Sequence, residues 1–153
     1  MGYDLYVCNS DGSVINEEPA QDAPVSMFGP VVYQPLYYLR RNIFGMDPLR
    51  DALRSVRHEG LSMGYWASYT PEFPGATATE EEVLRWLRAT GDETPGIPLH
   101  KLCSNDGWWV TAPECHSAFS IWQRAGYPDQ EDFRDDFIPF LCTAATLGGF
   151  RVY

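Results

Sequence analysis

The densest group of reactive side chains in the sequence lies between residues 100 and 106, in the run HKLCSND. In a hydrolase, an imidazole such as His100 acts as general base, and a carboxylate such as Asp106 orients it. Ser104 or Cys103 could then attack a carbonyl carbon. The next residue is glycine, and a Ser-Asn-Asp-Gly run is typical of a tight turn because Asn, Asp and Gly tolerate φ > 0. No nucleophile motif accompanies the run, so a turn is the favoured interpretation, with His100 and Asp106 as the candidate catalytic residues.

Metal-ligating residue types occur in the same half of the chain. The residues concerned are His100, Cys103, Cys115, His116 and Cys142. No pair of them has the spacing of a structural zinc site. Cys115 instead belongs to an apolar stripe with Ala118 and Trp122, which is the spacing of a buried helix face. The sequence therefore predicts no metal, and nothing in it indicates a cofactor.

Carboxylates support two further hypotheses. Asp106 and Glu114 could form a glycosidase pair, although Glu114 also completes a helix capping box. Five acids open the last predicted helix: Asp129, Glu131, Asp132, Asp135 and Asp136. Such a run is typical of a solvated helix start, where the helix dipole favours negative charge. It could alternatively imitate the charge of a DNA backbone.

Arginines supply candidate binding residues. Arg40 and Arg41 belong to a basic region, residues 31–60, which holds five arginines against three acids. These arginines could bind an anionic small molecule, because the guanidinium fork fits phosphate, or they could pair with neighbouring acids. Asn105 joins Arg40 and Arg41 as a candidate binding residue if the turn around it lines the same cleft.

Trp108 and Trp109 are the remaining candidate binding residues. They stand in a predicted strand, so their rings project from opposite faces of the sheet. We expect one ring in the core. The other ring, if it is exposed, would mark a contact surface.

Hydrophobic spacing and turn residues predict the elements that position these side chains. We expect strands at 3–8, 97–103, 107–110 and 150–153, and an irregular loop over 9–32. Helices are expected at Leu36–Phe44, 47–60, 79–89, 111–126 and 129–148. Thr79 and Thr111 begin capping boxes, and Pro139 interrupts the last helix. This order predicts an α+β fold in which about five helices pack against a small mixed or antiparallel sheet.

Length and charge narrow the class of protein. The 153 residues fit a single globular domain spanning 1–153. The net charge is −10, and residues 1–30 hold five acids and no base, so the chain disfavours nucleic acid and favours a basic partner. No apolar run approaches the roughly 18 residues of a membrane span. The four cysteines lack C-x-x-C spacing and no signal peptide precedes them, which predicts reduced thiols and a cytoplasmic location.

Three stretches carry a resemblance to known proteins. They are YLRRNIFGM at 38–46, GIPLHKLCSNDGWWVT at 96–111 and the ending GGFRVY. Together they resemble a group of uncharacterised small acidic proteins of actinobacteria and their phages. The resemblance covers most of the chain. The resemblance implies that the gene belongs to an actinobacterium or to one of its phages. Because the group has no assigned reaction, the resemblance implies no mechanism.

These observations favour a small acidic cytoplasmic binding protein that acts by covering a partner protein. The absence of a catalytic motif favours a protein that is not an enzyme. The alternative is a small ligand-binding or enzymatic domain with a cleft near His100, Asp106 and Arg40/Arg41. A third hypothesis, a structural component of a virion, predicts stable homo-oligomers.

Overall fold

A four-stranded antiparallel sheet is the centre of the fold. The computed structural model describes residues 2–21, 26–28, 31–90, 93–128 and 133–153. The strands are β1 Gly2–Val7, β2 Ser26–Phe28, β3 Val31–Tyr33, β4 Tyr38–Asn42, β5 Arg57–His58, β6 Leu61–Ser62, β7 Gly64–Tyr65, β8 Ile97–Pro98, β9 Trp108–Val110 and β10 Phe150–Val152. The main sheet has the order β4-β1-β10-β9, and β2–β3, β5–β6 and β7–β8 form separate short pairs. The first and last strands therefore pair in the middle of the sheet.

Four α-helices lie within the described residues. They are α1 Ile43–Ser55, α2 Glu80–Arg88, α3 Ala112–Arg124 and α4 Ile138–Thr146, with a 3-10 helix at Leu99–Leu102 and a π-helix at Phe133–Phe137. Both predicted capping boxes are confirmed. At α2 the Thr79 hydroxyl and the Glu82 carboxylate each accept the other residue's backbone N–H, and Thr111 and Glu114 do the same at α3. These bonds satisfy N–H groups that the first turn of a helix leaves free.

One face of the main sheet packs against the helices and supplies the core. The period-two alternation of β1 places Leu5 and Val7 on this inner face, where both are fully buried. Phe150 of β10 lies beside Val7, and its ring centroid is 5.2 Å from that of Phe140 on α4. No helix in the described part of the chain combines the length and apolar character that crossing a bilayer requires.

The α+β class is confirmed, but the described residues form four α-helices where about five helices were predicted. The helix predicted at Leu36–Phe44 is strand β4 instead. Leu39 is buried between the exposed Tyr38 and Arg40, which is the period of a strand with one face on the core. Pairing with β1 supplies the hydrogen bonds of this segment. Asn42 then caps α1, so that helix begins earlier than predicted.

Two further segments differ from the prediction. The strand predicted at 97–103 is limited to Ile97–Pro98, after which the chain enters the 3-10 helix. The loop predicted at 9–32 includes β2 and the start of β3. Pro139, expected to interrupt the last helix, lies in the first turn of α4 directly after the π-helix. Proline is tolerated there because the first turn needs no N–H donor.

Candidate functional site

The outer face of the main sheet, away from the core, carries a row of aromatic and charged side chains. The strand register pairs Tyr38 with Tyr6, Tyr6 with Arg151, and Arg151 with Trp109. Cross-strand partners lie on the same face of a sheet, so the row crosses all four strands. Its members alternate with core residues such as Leu5, so the same periodicity that builds the core turns them outward.

Three tyrosines form a cluster near the β4 edge of this face. The ring centroids of Tyr6 and Tyr38 are 5.0 Å apart, and those of Tyr6 and Tyr153 are 6.3 Å apart. The Tyr38 hydroxyl donates a hydrogen bond to Asp4 Oδ1 at 2.6 Å, and this interaction raises the pKa of Tyr38. Tyr38 and Tyr153 are 41% and 39% exposed. The cluster therefore offers apolar ring surface together with hydrogen-bonding hydroxyls.

A cavity of about 690 Å³ adjoins this cluster, and we call it the tyrosine pocket. Two segments, 15–21 and 34–38, enclose it together with Tyr6. Its lining residues are Tyr6, Ile15, Asn16, Glu17, Glu18, Pro19, Ala20, Gln21, Gln34, Pro35, Leu36, Tyr37 and Tyr38. The volume lies within the range of about 300–1,000 Å³ that is usual for ligand pockets.

The tyrosine pocket is anionic. Glu17 and Glu18 lie in its wall, and the described lining residues include no arginine, lysine or histidine. Asp4 lies next to it on the sheet and faces the exposed Arg40, with 3.9 Å between Oδ1 and Nε. Carboxylates and the faces of tyrosine rings both attract cations. The pocket is therefore suited to a guanidinium or ammonium group.

The β9 side of the outer face is closed. Gly12 packs so tightly on the Trp109 ring that a Cβ there would lie 2.9 Å from it. Arg151 donates to the Gly12 carbonyl through Nη1 and to the Gly107 carbonyl through Nε, both at 2.8 Å. The guanidinium carbons of Arg88 and Arg151 lie 5.4 and 6.0 Å from the Trp109 ring centre.

Arg40 and Arg41 are adjacent in β4 and therefore face opposite sides of the sheet. Arg41 donates to both carboxylate oxygens of Asp136, at 2.9 and 2.6 Å, and so links β4 to the π-helix. Arg40 faces Asp4 on the outer side. Each predicted binding arginine thus lies beside a different acid, and the two do not converge on one anion site.

The turn at 104–107 and His100 lie beside β9, at the other edge of the sheet. The Cys103 carbonyl accepts a hydrogen bond from Tyr3 of β1 at 3.2 Å, whereas Arg40 lies beside Asp4 and Arg41 binds Asp136. The His100 ring meets the Trp108 ring edge-on at 5.2 Å, and Asn105 and Asp106 are exposed. The structure therefore does not bring these residues into one cleft with the two arginines.

The side chains of both candidate nucleophiles form hydrogen bonds with residues close to the turn in sequence. Ser104 Oγ accepts a hydrogen bond from Trp108 Nε1 at 2.8 Å. The Cys103 thiol donates to the Leu99 carbonyl at 3.2 Å. Burial raises the pKa of Cys103, whereas reactive cysteines have lowered pKa values. The geometry favours the structural interpretation of this segment.

Trp108 and Trp109 are both buried, with 7% and 4% of their surfaces exposed. Trp108 packs on Trp86 of α2, with ring centroids 4.6 Å apart. Trp109 lies under Gly12, and its Nε1 donates to the Gly148 carbonyl at 2.8 Å. Because a distant loop covers Trp109, spacing within the strand could not indicate its burial. Neither ring is available as an exposed contact surface.

Lys101, to which the sequence assigned no role, forms a buried ion pair with Glu114. Its Nζ donates to Glu114 Oε1 and Oε2 at 2.9 and 3.0 Å, and to the carbonyls of Arg88 and Trp109. Burial lowers the pKa of Lys101. Glu114 also accepts from the Thr90 hydroxyl and the Thr111 N–H. The network joins α2, β9 and α3. Glu114 therefore stabilises the fold, and the structure does not favour its hypothetical role in a glycosidase pair with Asp106.

The acidic run is described only in part. Asp129, Glu131 and Asp132 lie outside the described residues, Asp135 is exposed, and Asp136 binds Arg41. The described chain holds no group of three or more His, Cys, Asp or Glu side chains placed to hold a metal ion. All four cysteines are free; three are buried and Cys103 is exposed.

The tyrosine pocket was not predicted, although part of its signal is in the sequence. In the run YDLYV, Asp4 and Tyr6 alternate with the buried Leu5 and Val7, and in YYLR the residue Leu39 is the buried one. Residue spacing does not show that β1 pairs with β4, and this pairing brings the outward side chains of the two strands together. No family model matches this sequence, and the curated proteins and the solved structures contain no significant match to it.

Proposed function

We propose that this chain is a cytoplasmic binding protein that covers an arginine-bearing segment of a partner protein with the tyrosine pocket. The observation that carries the proposal is the pocket itself, which combines three tyrosine rings with two carboxylates and has no basic side chain among its described lining residues. The resemblance to proteins of actinobacteria and their phages suggests the setting, with the partner as a host or phage protein.

An arginine fits this pocket better than a lysine does. The guanidinium is planar, stacks on aromatic rings and forms two parallel bonds to a carboxylate. Tyr6, Tyr37 and Tyr38 supply rings, and Glu17 and Glu18 supply carboxylates. Stacking of this kind contributes about 0.5–1 kcal/mol at an exposed site, so several contacts must act together.

Two features of the whole chain support a protein partner over a small molecule. The net charge of −10 draws a basic surface towards the chain and adds little to the capture of a small ligand. Large side chains are also exposed elsewhere, notably Phe44 at 82%, Tyr69 at 57%, Phe73 at 56% and Trp66 at 51%. Aromatic residues of this kind are enriched at protein interfaces.

The first experiment uses isothermal titration calorimetry with three probes. They are a blocked peptide of about nine residues that carries arginine at alternate positions, the same peptide with citrulline for arginine, and free arginine amide. We expect saturable binding of the arginine peptide with a Kd below about 1 mM, and at least tenfold weaker binding of the citrulline peptide. Equal binding of both peptides, or no binding, contradicts the proposal. If arginine amide binds as tightly as the peptide, the site recognises a small cation and the partner-protein proposal fails.

Variants place the binding in the pocket. Glu17→Gln with Glu18→Gln removes two charges from its wall, and Glu72→Gln with Glu81→Gln removes two exposed charges elsewhere as a matched control. We expect the first pair of substitutions to weaken binding of the arginine peptide about five- to tenfold, since each contact is worth up to about 1 kcal/mol. The control pair should change the affinity less than twofold. Equal effects would mean that only net charge matters.

A further inference from the structure

Arg151 is a buried basic residue, like Lys101, but it has no acid partner among the described residues. Arg151 is 8% exposed, and no described carboxylate lies within ion-pair distance of its guanidinium, whereas Lys101 is balanced by Glu114. Its Nε and Nη1 donate to the Gly107 and Gly12 carbonyls. A guanidinium has five N–H groups, so three have no acceptor among the described residues. Burial of a cation without a counter-charge is costly unless something compensates it.

The Arg151 guanidinium is also held in place. Its central carbon lies 5.3 Å from the Tyr153 ring centre and 6.0 Å from that of Trp109. The two carbonyl bonds fix its orientation. A cation held in this way needs no reorganisation when it meets an anion, and that raises the affinity available to a small ligand.

Arg151 lines a second cavity, of about 290 Å³, which we call the Arg151 cavity. Its other lining residues are Ala78, Glu80, Val83, Leu84 and Leu87. Four of these five are aliphatic, and Val83, Leu84 and Leu87 come from one side of α2. The cavity thus combines an apolar wall with a guanidinium that keeps free donors.

We propose that the Arg151 cavity binds a small aliphatic carboxylate, with its carboxylate on Arg151 and its apolar body against Val83, Leu84 and Leu87. The size of the cavity, just below the usual range of about 300–1,000 Å³ for ligand pockets, suits an acid of about four to six carbon atoms. Apolar walls disfavour a bare phosphate, which would lose hydration without compensation. Among the described residues, this site shares no lining residue with the tyrosine pocket.

Glu80 is the one acid in the described wall of the Arg151 cavity, and it forms no ion pair with Arg151. A bound carboxylate would feel its negative charge. Removal of that charge by Glu80→Gln is therefore expected to tighten binding about two- to fivefold, since repulsion between partly exposed charges is worth up to about 1 kcal/mol. Unchanged or weaker isovalerate binding in Glu80→Gln would contradict the placement of the ligand carboxylate in this cavity.

The test is an NMR titration of the isotope-labelled protein with isovalerate, with its neutral analogue isovaleramide and inorganic phosphate as controls. We expect saturable shifts at 78–87 and 151 with isovalerate, and at least tenfold weaker effects of both controls. Equal effects of isovaleramide or phosphate, or no saturation by about 10 mM isovalerate, would overturn the proposal.

Further variants guard against a misfolded result. Arg151→Lys keeps a positive charge but loses the fork, and we expect at least tenfold weaker isovalerate binding. Leu84→Asp, at a partly exposed position, places a carboxylate in the cavity and is expected to abolish binding while the remaining spectrum stays native. Leu84→Asn is its neutral control and should retain most of the affinity. Unchanged binding in Leu84→Asp contradicts the site. Glu17→Gln with Glu18→Gln, in the tyrosine pocket, should leave isovalerate binding intact, which separates this proposal from the proposed function.

Discussion

At the scale of single residues, the buried pair of Lys101 and Glu114 makes the contribution of each side chain to stability depend on the other. The Lys101 side chain is fully buried, and Glu114 balances it. Removal of one member of such a pair leaves the other charge unpaired, which costs about 3–5 kcal/mol. We therefore expect Lys101→Met and Glu114→Gln each to lower the free energy of unfolding by that amount, and the double variant to lose less than the sum. Urea denaturation checks the cycle.

A surface pair provides the control for this cycle. Glu81 and Arg85 are 3.6 Å apart on the exposed side of α2. Exposed pairs of this kind contribute about 0.5 kcal/mol or less. Glu81→Gln should therefore leave the free energy of unfolding nearly unchanged. Additive losses in the Lys101 and Glu114 cycle would show that the two side chains do not depend on each other.

Cys8 gives the fold a pH dependence of known sign. Burial raises the pKa of its thiol to about 12 from an ordinary value of 9.0. Above pH 9 the unfolded chain loses this proton while the folded chain keeps it, so the free energy of unfolding falls as the pH rises. By about pH 10.5 the loss attributable to Cys8 should reach about 2 kcal/mol.

The measurement compares wild type with Cys8→Ala. At about pH 7.5 the variant should be the less stable protein, because it loses buried side-chain volume and the hydrogen bond that Cys8 Sγ donates to the Gly148 carbonyl. At about pH 10.5 the difference between the two proteins should shrink by about 2 kcal/mol. A difference that stays constant between these pH values contradicts the assignment.

At the scale of the elements, the entry into β10 requires a glycine at position 149. Gly149 has φ +90, and a Cβ there would lie 2.1 Å from the Val110 carbonyl oxygen. Gly126 has φ +85, but nothing lies within 4 Å of its Cβ position. Gly126→Ala should cost about 1–2 kcal/mol for the left-handed backbone alone. Gly149→Ala should prevent the native pairing of β9 with β10, since backbone atoms on both sides would have to move.

Thermal and chemical denaturation distinguish the two glycine variants. Gly126→Ala should unfold cooperatively at a slightly lower temperature, and Gly149→Ala should lose the native near-UV signal of the tryptophans. Similar stabilities for the two proteins would contradict the tight packing at Gly149.

Local signals in the sequence predicted the helices better than the sheet. The capping boxes at Thr79 and Thr111 need only residues three positions apart, and both formed. The segment 36–44 was predicted as a helix because Pro35 suits a helix start, yet pairing with β1 makes it a strand. That pairing is a long-range contact, which local propensity does not report.

The same distinction applies to the candidate sites. The segment 104–107 remains a structural turn by prediction, and the hydrogen bonds of Ser104 and Cys103 favour that interpretation. The tyrosine pocket and the Arg151 cavity both depend on contacts between segments far apart in the sequence, so no spacing rule indicates them. Arg40 and Arg41 were singled out for their charge, but each lies beside an acid that pairing or packing brings to it.

At the scale of the whole molecule, charge should govern how fast a basic partner arrives. The net charge is −10, and the acids in and beside the tyrosine pocket lie on the surface, where salt screens them. Raising the NaCl concentration from about 50 to about 500 mM should weaken binding of the arginine peptide at least fivefold, chiefly because association becomes slower. Stopped-flow kinetics measures that rate. An affinity that does not change with salt contradicts the electrostatic part of the proposal.

The most direct test of the central claim is where the arginine peptide binds. Chemical-shift mapping of the isotope-labelled protein during a titration with this peptide gives the position residue by residue. We expect the largest shifts at Tyr6, at 15–21 and at 34–38, with little change at 78–87. Shifts centred on the β9 edge or spread evenly over the acidic surface would contradict the claim that the tyrosine pocket is the binding site.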